Sequence, residues 1–315
     1  MTFAGALLLG ALLVAWAAPL ALNRVAAERH DALAGVIGWI VTIVGVVSTF
    51  AVGSVLLLLP GHRHEGALGD LGHDCWDLVG HHMSHRLQVL IGAAGVAAMV
   101  ILLIRFARAS SISLRSRRRD HGAHADLMGV IKPSDAGEPG VLWLDDPAPF
   151  AYSLRGRPPL VVASTGLRAL PMAQQDAVMR HEVAHLRGRH HLLVSLTQDL
   201  SEALPIVPLF RHAPAAMRQL VELAADAAAA SAFGRPAVRA ALLAVDSGHH
   251  PRQALAVASR DVPLRLRCLA QSERSDGWLR RAGVRAAAVV TSAVTPPVVG
   301  LGTFLVAIAV ACPAA

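Results

Sequence analysis

Apolar residues are bunched into four long stretches rather than spread along the chain. A helix needs roughly 20 apolar residues to cross the hydrocarbon core of a bilayer, and each stretch approaches or exceeds that length with almost no charge inside it. The pattern therefore predicts four transmembrane helices, at about 3–22, 34–59, 87–104 and 284–310. The first stretch lacks a basic start and is too long for a signal peptide, although cleavage stays open as an alternative.

The longest polar part of the chain lies between the third and fourth stretches. Residues 121–149 are rich in Gly, Pro and Asp and predict loops with short strands, and residues 150–164 (FAYSLRGRPPLVVAS) predict two strands around a turn. A helical pattern begins near Pro171, and a second covers 214–233 and stops at a Gly-Arg-Pro run. The apolar stretch 192–210 between them predicts a helix that packs on the membrane spans or dips into the interface, with ordinary core packing as the alternative.

These patterns predict a mainly α membrane protein with three transmembrane helices before, and one after, a single α+β domain. Residues 1–104 would hold three spans, a short inner loop and a histidine-rich outer loop. Residues 105–282 would form the α+β domain, and residues 283–315 the last span. Pro296-Pro297 would kink this span, which a membrane bundle tolerates.

Composition and charge agree with this layout and suggest its orientation. The chain is 54% hydrophobic and only 16% charged, whereas soluble domains carry about 25% charged residues. Its net charge of +7 comes mainly from arginines, which cluster at 105–119, at 280–285 and in the first loop. By the positive-inside rule we expect a multi-pass cell-membrane protein with its N-terminus outside and its large domain in the cytoplasm. We expect no nucleic-acid partner, because no aromatic residues interleave the arginine run.

A candidate for chemistry lies on the first predicted helix of the α+β domain. His181-Glu182-Val183-Ala184-His185 is an HExxH sequence, and residues four apart share one helix face. Both imidazoles can therefore reach one metal ion, and Glu182 is placed to take a proton from water there. The three cysteines are far apart and indicate neither a disulfide framework nor a cysteine-based zinc site.

A third ligand is needed, and the second predicted helix offers one. Glu222 and Asp226 lie four residues apart on a helix that is otherwise rich in alanine and leucine. Buried carboxylates without partners are costly, so a metal ligand at Glu222 and a hydrogen-bond acceptor at Asp226 would explain both. The alternative is a solvated face on which Glu222 pairs with Arg218.

His191 is a rival third ligand. The run HEVAHLRGRHH contains HExxHxxGxxH, the metzincin pattern, which requires the helix to end at Gly188. Leucines keep helical spacing after Gly188, so we expect this glycine to lie inside a continuous helix, and we favour Glu222 as the ligand. The identity of the third ligand is therefore the first prediction to test.

HEVAH, a hydrophobic helix and then ELAAD together resemble the gluzincin membrane peptidases. These comprise the HtpX type, the CAAX prenyl proteases and the peptidase portion of the beta-lactam sensor-transducers. The resemblance covers about 150–232, and three spans before the domain with one after are most similar to the sensor-transducers. Those proteins carry an extracellular penicillin-binding domain after their last span, whereas this chain stops within a few residues, so antibiotic sensing by that route is not expected.

The resemblance implies a zincin-like peptidase domain that binds one Zn²⁺ per chain through His181, His185 and Glu222. Glu182 would be the general base, and Asp226 would hydrogen-bond His181. The strand Leu160–Ser164 would resemble the sheet edge that pairs with an extended substrate. The group that stabilises the oxyanion is not evident, and His212 and Arg218 are candidates by position alone.

The expected function is that of an integral-membrane zinc endopeptidase, whose partners are a protein or peptide substrate and the lipid bilayer. Its role would be signalling, through cleavage of a cytoplasmic repressor protein, or quality control of membrane proteins. Two other classes stay open. One is a non-catalytic scaffold that retains the peptidase fold, and the other is a metal-responsive sensor that uses the outer loop histidines, which are His62, His64, His73, His81, His82 and His85.

Overall fold

The computed structural model describes residues 3–28, 31–59, 85–128, 140–154, 159–246, 262–270 and 278–311. This part of the chain is mostly helical, with one three-stranded sheet. In chain order its elements are α1 (Phe3–Glu28), α2 (Ala32–Leu58), α3 (His85–Met128), β1 (Gly140–Leu144), β2 (Ala151–Leu154), β3 (Leu160–Ser164), a 3₁₀ turn (Thr165–Ala169), α4 (Met172–Arg187), α5 (His190–Ala203), α6 (Pro208–Phe233), α7 (Arg235–Asp246), α8 (Val262–Ala270) and α9 (Trp278–Ala311).

Among the described residues, four helices are long and apolar enough to cross a bilayer, at the places that the sequence predicted. The qualifying segments are Phe3–Asn23, Ala32–Leu58, Arg86–Arg115 and Ala282–Val306. Many of their large apolar side chains are exposed, as lipid-facing residues are expected to be. These four helices suggest a membrane protein, and its orientation stays a prediction. Helix α9 continues through Pro296 and Pro297.

The last span is tied to the first two by close contacts. A Cβ atom added at Gly10 of α1 would collide with the backbone of Gly300 in α9, so the two glycines let these helices touch. At the start of α2, the Asp31 carboxylate accepts from the backbone N–H groups of Leu33 and Ala34 and caps the helix. The same carboxylate pairs with Arg285 Nε at 2.9 Å.

Strand β3 lies in the middle of the sheet. It is parallel to β1 and antiparallel to β2, giving the order β1-β3-β2, and all five of its residues are buried. The two strands predicted within 150–164 are confirmed, but the expectation that Leu160–Ser164 forms a substrate-binding edge is wrong. The reason is β1, which arises from the Gly-, Pro- and Asp-rich segment and occupies the other side of β3. The edge next to α4 is β2.

The helical hairpin α5–α6 packs on the membrane spans. Its apolar residues join α1 and α2 in one buried cluster, with Leu209, Phe210 and Met217 of α6 against Val14 of α1 and Trp39 of α2. The interpretation of 192–210 as a helix packed on the spans is therefore confirmed as far as this contact goes. The stretch is not one continuous helix, because α5 ends at Ala203 and Pro208 begins α6. Helix α6 thus starts six residues before the predicted start at 214.

The hairpin is also anchored to the long third helix. Asp199 of α5 is 3% exposed, and its carboxylate accepts hydrogen bonds from Ser110 Oγ at 2.9 Å and Ser113 Oγ at 2.6 Å, both on α3. Because α3 contains the third candidate span, this contact links a membrane helix to the helix that directly follows HExxH.

Helix α4 ends at Arg187, contrary to the expectation that Gly188 lies inside a continuous helix. Gly188 caps α4, and Arg189 adopts a left-handed conformation with φ 51°, ψ 36° before α5 begins at His190. The leucine spacing that suggested continuity instead belongs to a second helix with its own axis. A left-handed arginine is uncommon and carries no recognisable sequence pattern.

Candidate metal centre

Two adjacent helices bring the predicted ligands together. Helices α4 and α6 pack side by side, with His181 and His185 one turn apart on α4 and Glu222 on the facing side of α6. One ligand atom from each of these three residues lies within 4.8 Å of the others, so the cluster can hold a metal ion. Sequence spacing alone placed the pair on α4, and the packing of α6 adds the carboxylate.

The distances within this cluster fit a small, tetrahedral metal ion. The two histidine Nε2 atoms are 3.1 Å apart, and each lies 3.4 Å from an oxygen of Glu222. Zinc binds nitrogen and oxygen ligands at about 2.0–2.2 Å, so the edges of its tetrahedron are about 3.3 Å long. Two imidazoles and one carboxylate are also a donor set that leaves a fourth position open, as catalytic zinc sites do.

Asp226 lies behind His181, as the sequence predicted. Its Oδ1 is 3.0 Å from His181 Nδ1, the ring nitrogen that faces away from the cluster. Burial alone would lower the pKa of His181, but the hydrogen bonds to Asp226 and Glu222 outweigh it and raise that pKa to about 10. Burial lowers the pKa of His185 to about 3, so this second ring is neutral. The fixed Nδ1–H of His181 leaves its Nε2 lone pair for a metal.

Arg265 of α8 pairs with both Asp226 and Glu222, and the sequence pattern did not indicate it. Its Nε and one terminal nitrogen each donate to Asp226 at 2.7 Å, and the other terminal nitrogen lies 3.2 Å from Glu222. Burial would raise the pKa of Asp226, yet Arg265 and His181 hold it at about 2. In the same way, His181, His185 and Arg265 hold the pKa of Glu222 at about 2 against burial. Both carboxylates are therefore ionised near neutral pH.

Glu182 lies beside the edge strand of the sheet. Burial raises the pKa of its carboxyl, against the opposing influence of His181 and of the nearby Ser153 in β2. Strand β2 bonds β3 through alternate residues, with Phe150 O accepting from Ser164 N at 3.0 Å. The backbone groups of Ala151 and Ser153 therefore point away from β3. This arrangement joins the sheet edge to the predicted general base.

The two histidines at the start of α5 lie close to the cluster without joining it. His190 Nδ1 is 3.0 Å from His185 Nδ1. His191 Nε2 is 3.2 Å from Ser153 Oγ, and its ring centre is 6.1 Å from that of His185. The structure thus brings Glu222, and not the rival His191, to the donor atoms of His181 and His185 within the described residues.

The cluster opens into a cavity of about 520 Å³. His181, Glu182 and Glu222 stand on one side, and much of the rest is apolar, including Ala177 of α4 and Ala241 of α7. The predicted oxyanion candidates His212 and Arg218 do not line this cavity, and the cation that does is Arg265. Five outer-loop histidines lie outside the described residues, and of His85 only its place at the start of α3 is described.

No protein family model matches the chain, and no solved structure matches it at a significant level. The gluzincin resemblance therefore rests on the motifs alone, and the case for a function depends on the geometry of the metal centre.

Proposed function

We propose that this chain is an integral-membrane zinc endopeptidase of the gluzincin type that hydrolyses peptide bonds in cytoplasmic or membrane proteins. The observation that carries the proposal is the spacing of the three donor atoms of His181, His185 and Glu222, which matches a tetrahedral metal site beside a buried glutamate. A structural zinc site would be closed by a fourth protein ligand, whereas this one faces a cavity.

Each charged group around the cluster has a role in this proposal. Zinc bound there would supply Lewis-acid chemistry, activating water and polarising the peptide carbonyl. Glu182 would accept a proton from the attacking water and donate it to the leaving nitrogen, and its raised pKa brings it closer to neutral pH, which suits both steps. Asp226 would hold His181 in the tautomer that binds metal, with Arg265 keeping Asp226 ionised.

The substrate would lie along β2 rather than β3. Ala151 directs its backbone N–H and C=O away from β3, and it lines the cavity together with Phe150 and Tyr152. An extended peptide can pair with such an edge through main-chain hydrogen bonds, which read little of its sequence. The peptide bond beside Ala151 would then be close to Glu182, since Ser153 on the same strand lies near this residue.

The position of the site beside the membrane supports substrates that are membrane proteins or are held near the bilayer. Helix α6 carries Glu222 near its middle, and its first half packs on α1 and α2. Under the predicted orientation the site faces the cytoplasm, so a cytoplasmic repressor or a damaged membrane protein is a fitting substrate. Signalling and quality control are both compatible with this placement.

The test is cleavage by the purified full-length chain, in detergent with zinc, of a casein or peptide-library substrate. Glu182→Gln keeps the shape of the side chain and removes the base, so we expect at least a 100-fold loss of cleavage with zinc still bound. Glu202→Gln is the matched control, because this glutamate is exposed on α5 away from the cluster, and it should cleave as the wild type does. Equal cleavage by Glu182→Gln and wild type would refute the proposed mechanism, and a wild type that binds zinc without cleaving would favour the scaffold.

A further inference from the structure

The two ligand histidines differ in what lies behind them. His181 has the Asp226 carboxylate on its Nδ1, whereas His185 has no carboxylate there among the described residues. The atom that does contact His185 Nδ1 is Nδ1 of His190, at 3.0 Å, with the two rings nearly perpendicular at 89°. His190 plays no part in the mechanism as proposed above, so this contact needs a physical account.

The direction of this hydrogen bond follows from the chemistry of imidazole. His185 turns Nε2 towards Glu222 and His181, so in a metal-binding state its Nε2 lone pair must be free and its proton must sit on Nδ1. Two Nδ1 atoms at 3.0 Å make a hydrogen bond only if one donates and the other accepts. His185 therefore donates, and His190 accepts through an unprotonated Nδ1 while carrying its own proton on Nε2.

The turn between α4 and α5 is shaped to deliver this ring. Arg189 takes up the left-handed conformation that folds the chain back, so that His190 reaches a residue five positions before it. Gly188 has an ordinary backbone conformation, with φ −76°, so its conformation does not require glycine. A Cβ atom at Gly188 would, however, collide with the imidazole of His190, coming within 2.6 Å of Cδ2. The missing side chain at Gly188 leaves the space that the ring occupies.

We propose that His190 is a positioning residue for the metal centre, which accepts the Nδ1–H of His185 and fixes the tautomer and orientation in which Nε2 faces the metal. This inference rests on the proposed metal site. His190 thus does for His185 what Asp226 does for His181, but as a neutral acceptor. The use of an uncharged partner on one side keeps the site from gathering a further carboxylate beside Glu182, Glu222 and Asp226.

The test measures zinc affinity of the purified full-length chain by competition with a chromophoric chelator at fixed pH. His190→Asn retains an acceptor, because Asn Oδ1 and His Nδ1 are both attached to Cγ, whereas His190→Leu has similar bulk and no acceptor. We expect His190→Leu to bind zinc about 10- to 100-fold more weakly, at an unchanged one zinc per chain, and His190→Asn to stay within about threefold of wild type.

A second pair of variants leaves His190 itself in place. Gly188→Ala should weaken zinc binding as His190→Leu does, since the added methyl displaces the ring. Gly302→Ala is the matched control, because a Cβ there meets nothing within 4 Å, and it should bind as wild type does. Thermal unfolding of each variant shows that it is folded.

Three results would overturn the assignment. Equal affinities for His190→Leu and wild type would mean that the contact contributes nothing. Equal losses for His190→Leu and His190→Asn, or loss of the bound zinc itself, would mean that His190 acts as a ligand or as a packing residue. Any of these results, in a chain that still cleaves substrate, rules out the positioning role of His190 and leaves the proposed function intact. Failure of the wild type to bind zinc would overturn both.

Discussion

Arg265→Met is expected to release α8 from the metal centre. The Arg265 and Asp226 side chains are only 12% and 4% exposed, and two 2.7 Å hydrogen bonds join them. Removing one partner of a buried ion pair costs about 3–5 kcal/mol, and Asp226 would then keep only its contact with His181. Since each 1.4 kcal/mol is a factor of ten, local opening of α8 should become roughly 150- to 5,000-fold more populated.

Amide hydrogen exchange in Val262–Ala270 measures this opening directly, because exchange there requires α8 to leave its position. Arg267→Met is the matched control: this arginine lies on the same helix two residues away and is exposed, and the hydrogen bond it makes among the described residues is to the Pro263 carbonyl within α8. It should leave the exchange rates of α8 nearly unchanged. If Arg265→Met exchanges no faster than Arg267→Met, the buried ion pair does not hold α8 and the reasoning is refuted.

Three further predictions follow from other parts of the molecule. Zinc affinity should rise about tenfold per pH unit between pH 6 and 8, because the pKa of His181 is about 10 without metal and its proton must leave, as chelator competition at several pH values will show. Asp199→Ala should lower the free energy of unfolding in detergent by about 2–3 kcal/mol, since it removes the acceptor of two serine hydroxyls of α3. Gly10→Leu should lower the thermal unfolding temperature by driving α1 away from Gly300, whereas Gly302→Leu should not.

Features that depend on local periodicity were predictable from the sequence. The four apolar stretches became four long helices, because a run of apolar residues specifies a span without reference to the rest of the chain. Likewise, the spacing within HExxH and between Glu222 and Asp226 is set by one turn of helix. The prediction that these two helices face each other rested only on the fact that each carries polar groups that need a partner. In the structure the two helices are in contact.

Features that depend on distant pairing were not predictable in the same way. Arg265 is 39 residues beyond Asp226, and nothing in its surroundings distinguishes it from the many other arginines. Ser153 reaches Glu182 only because β2 lies beside α4. Strand β3 was predicted to be an edge strand because its parallel partner β1 lies in a segment whose composition indicates mainly loop.

The turn at Arg189 is a third feature that the sequence did not predict. The sequence shows the adjacent histidines and offers His191 as a ligand. Which of His190 and His191 lies next to His185 depends on the direction of the chain after α4. The left-handed residue Arg189 sets that direction, so that His190 contacts His185 and His191 contacts Ser153. The helical spacing of the leucines continues across the turn, so the spacing alone did not separate α4 from α5.

Metal content of the purified full-length chain tests the central claim most directly. We predict about one zinc per chain in the wild type and in His191→Ala, and a loss of zinc in Glu222→Ala, because Glu222 and not His191 lies with the donor atoms of His181 and His185. Glu202→Ala, at an exposed position of α5, should keep its zinc. Zinc retained in Glu222→Ala and lost in His191→Ala would contradict the account.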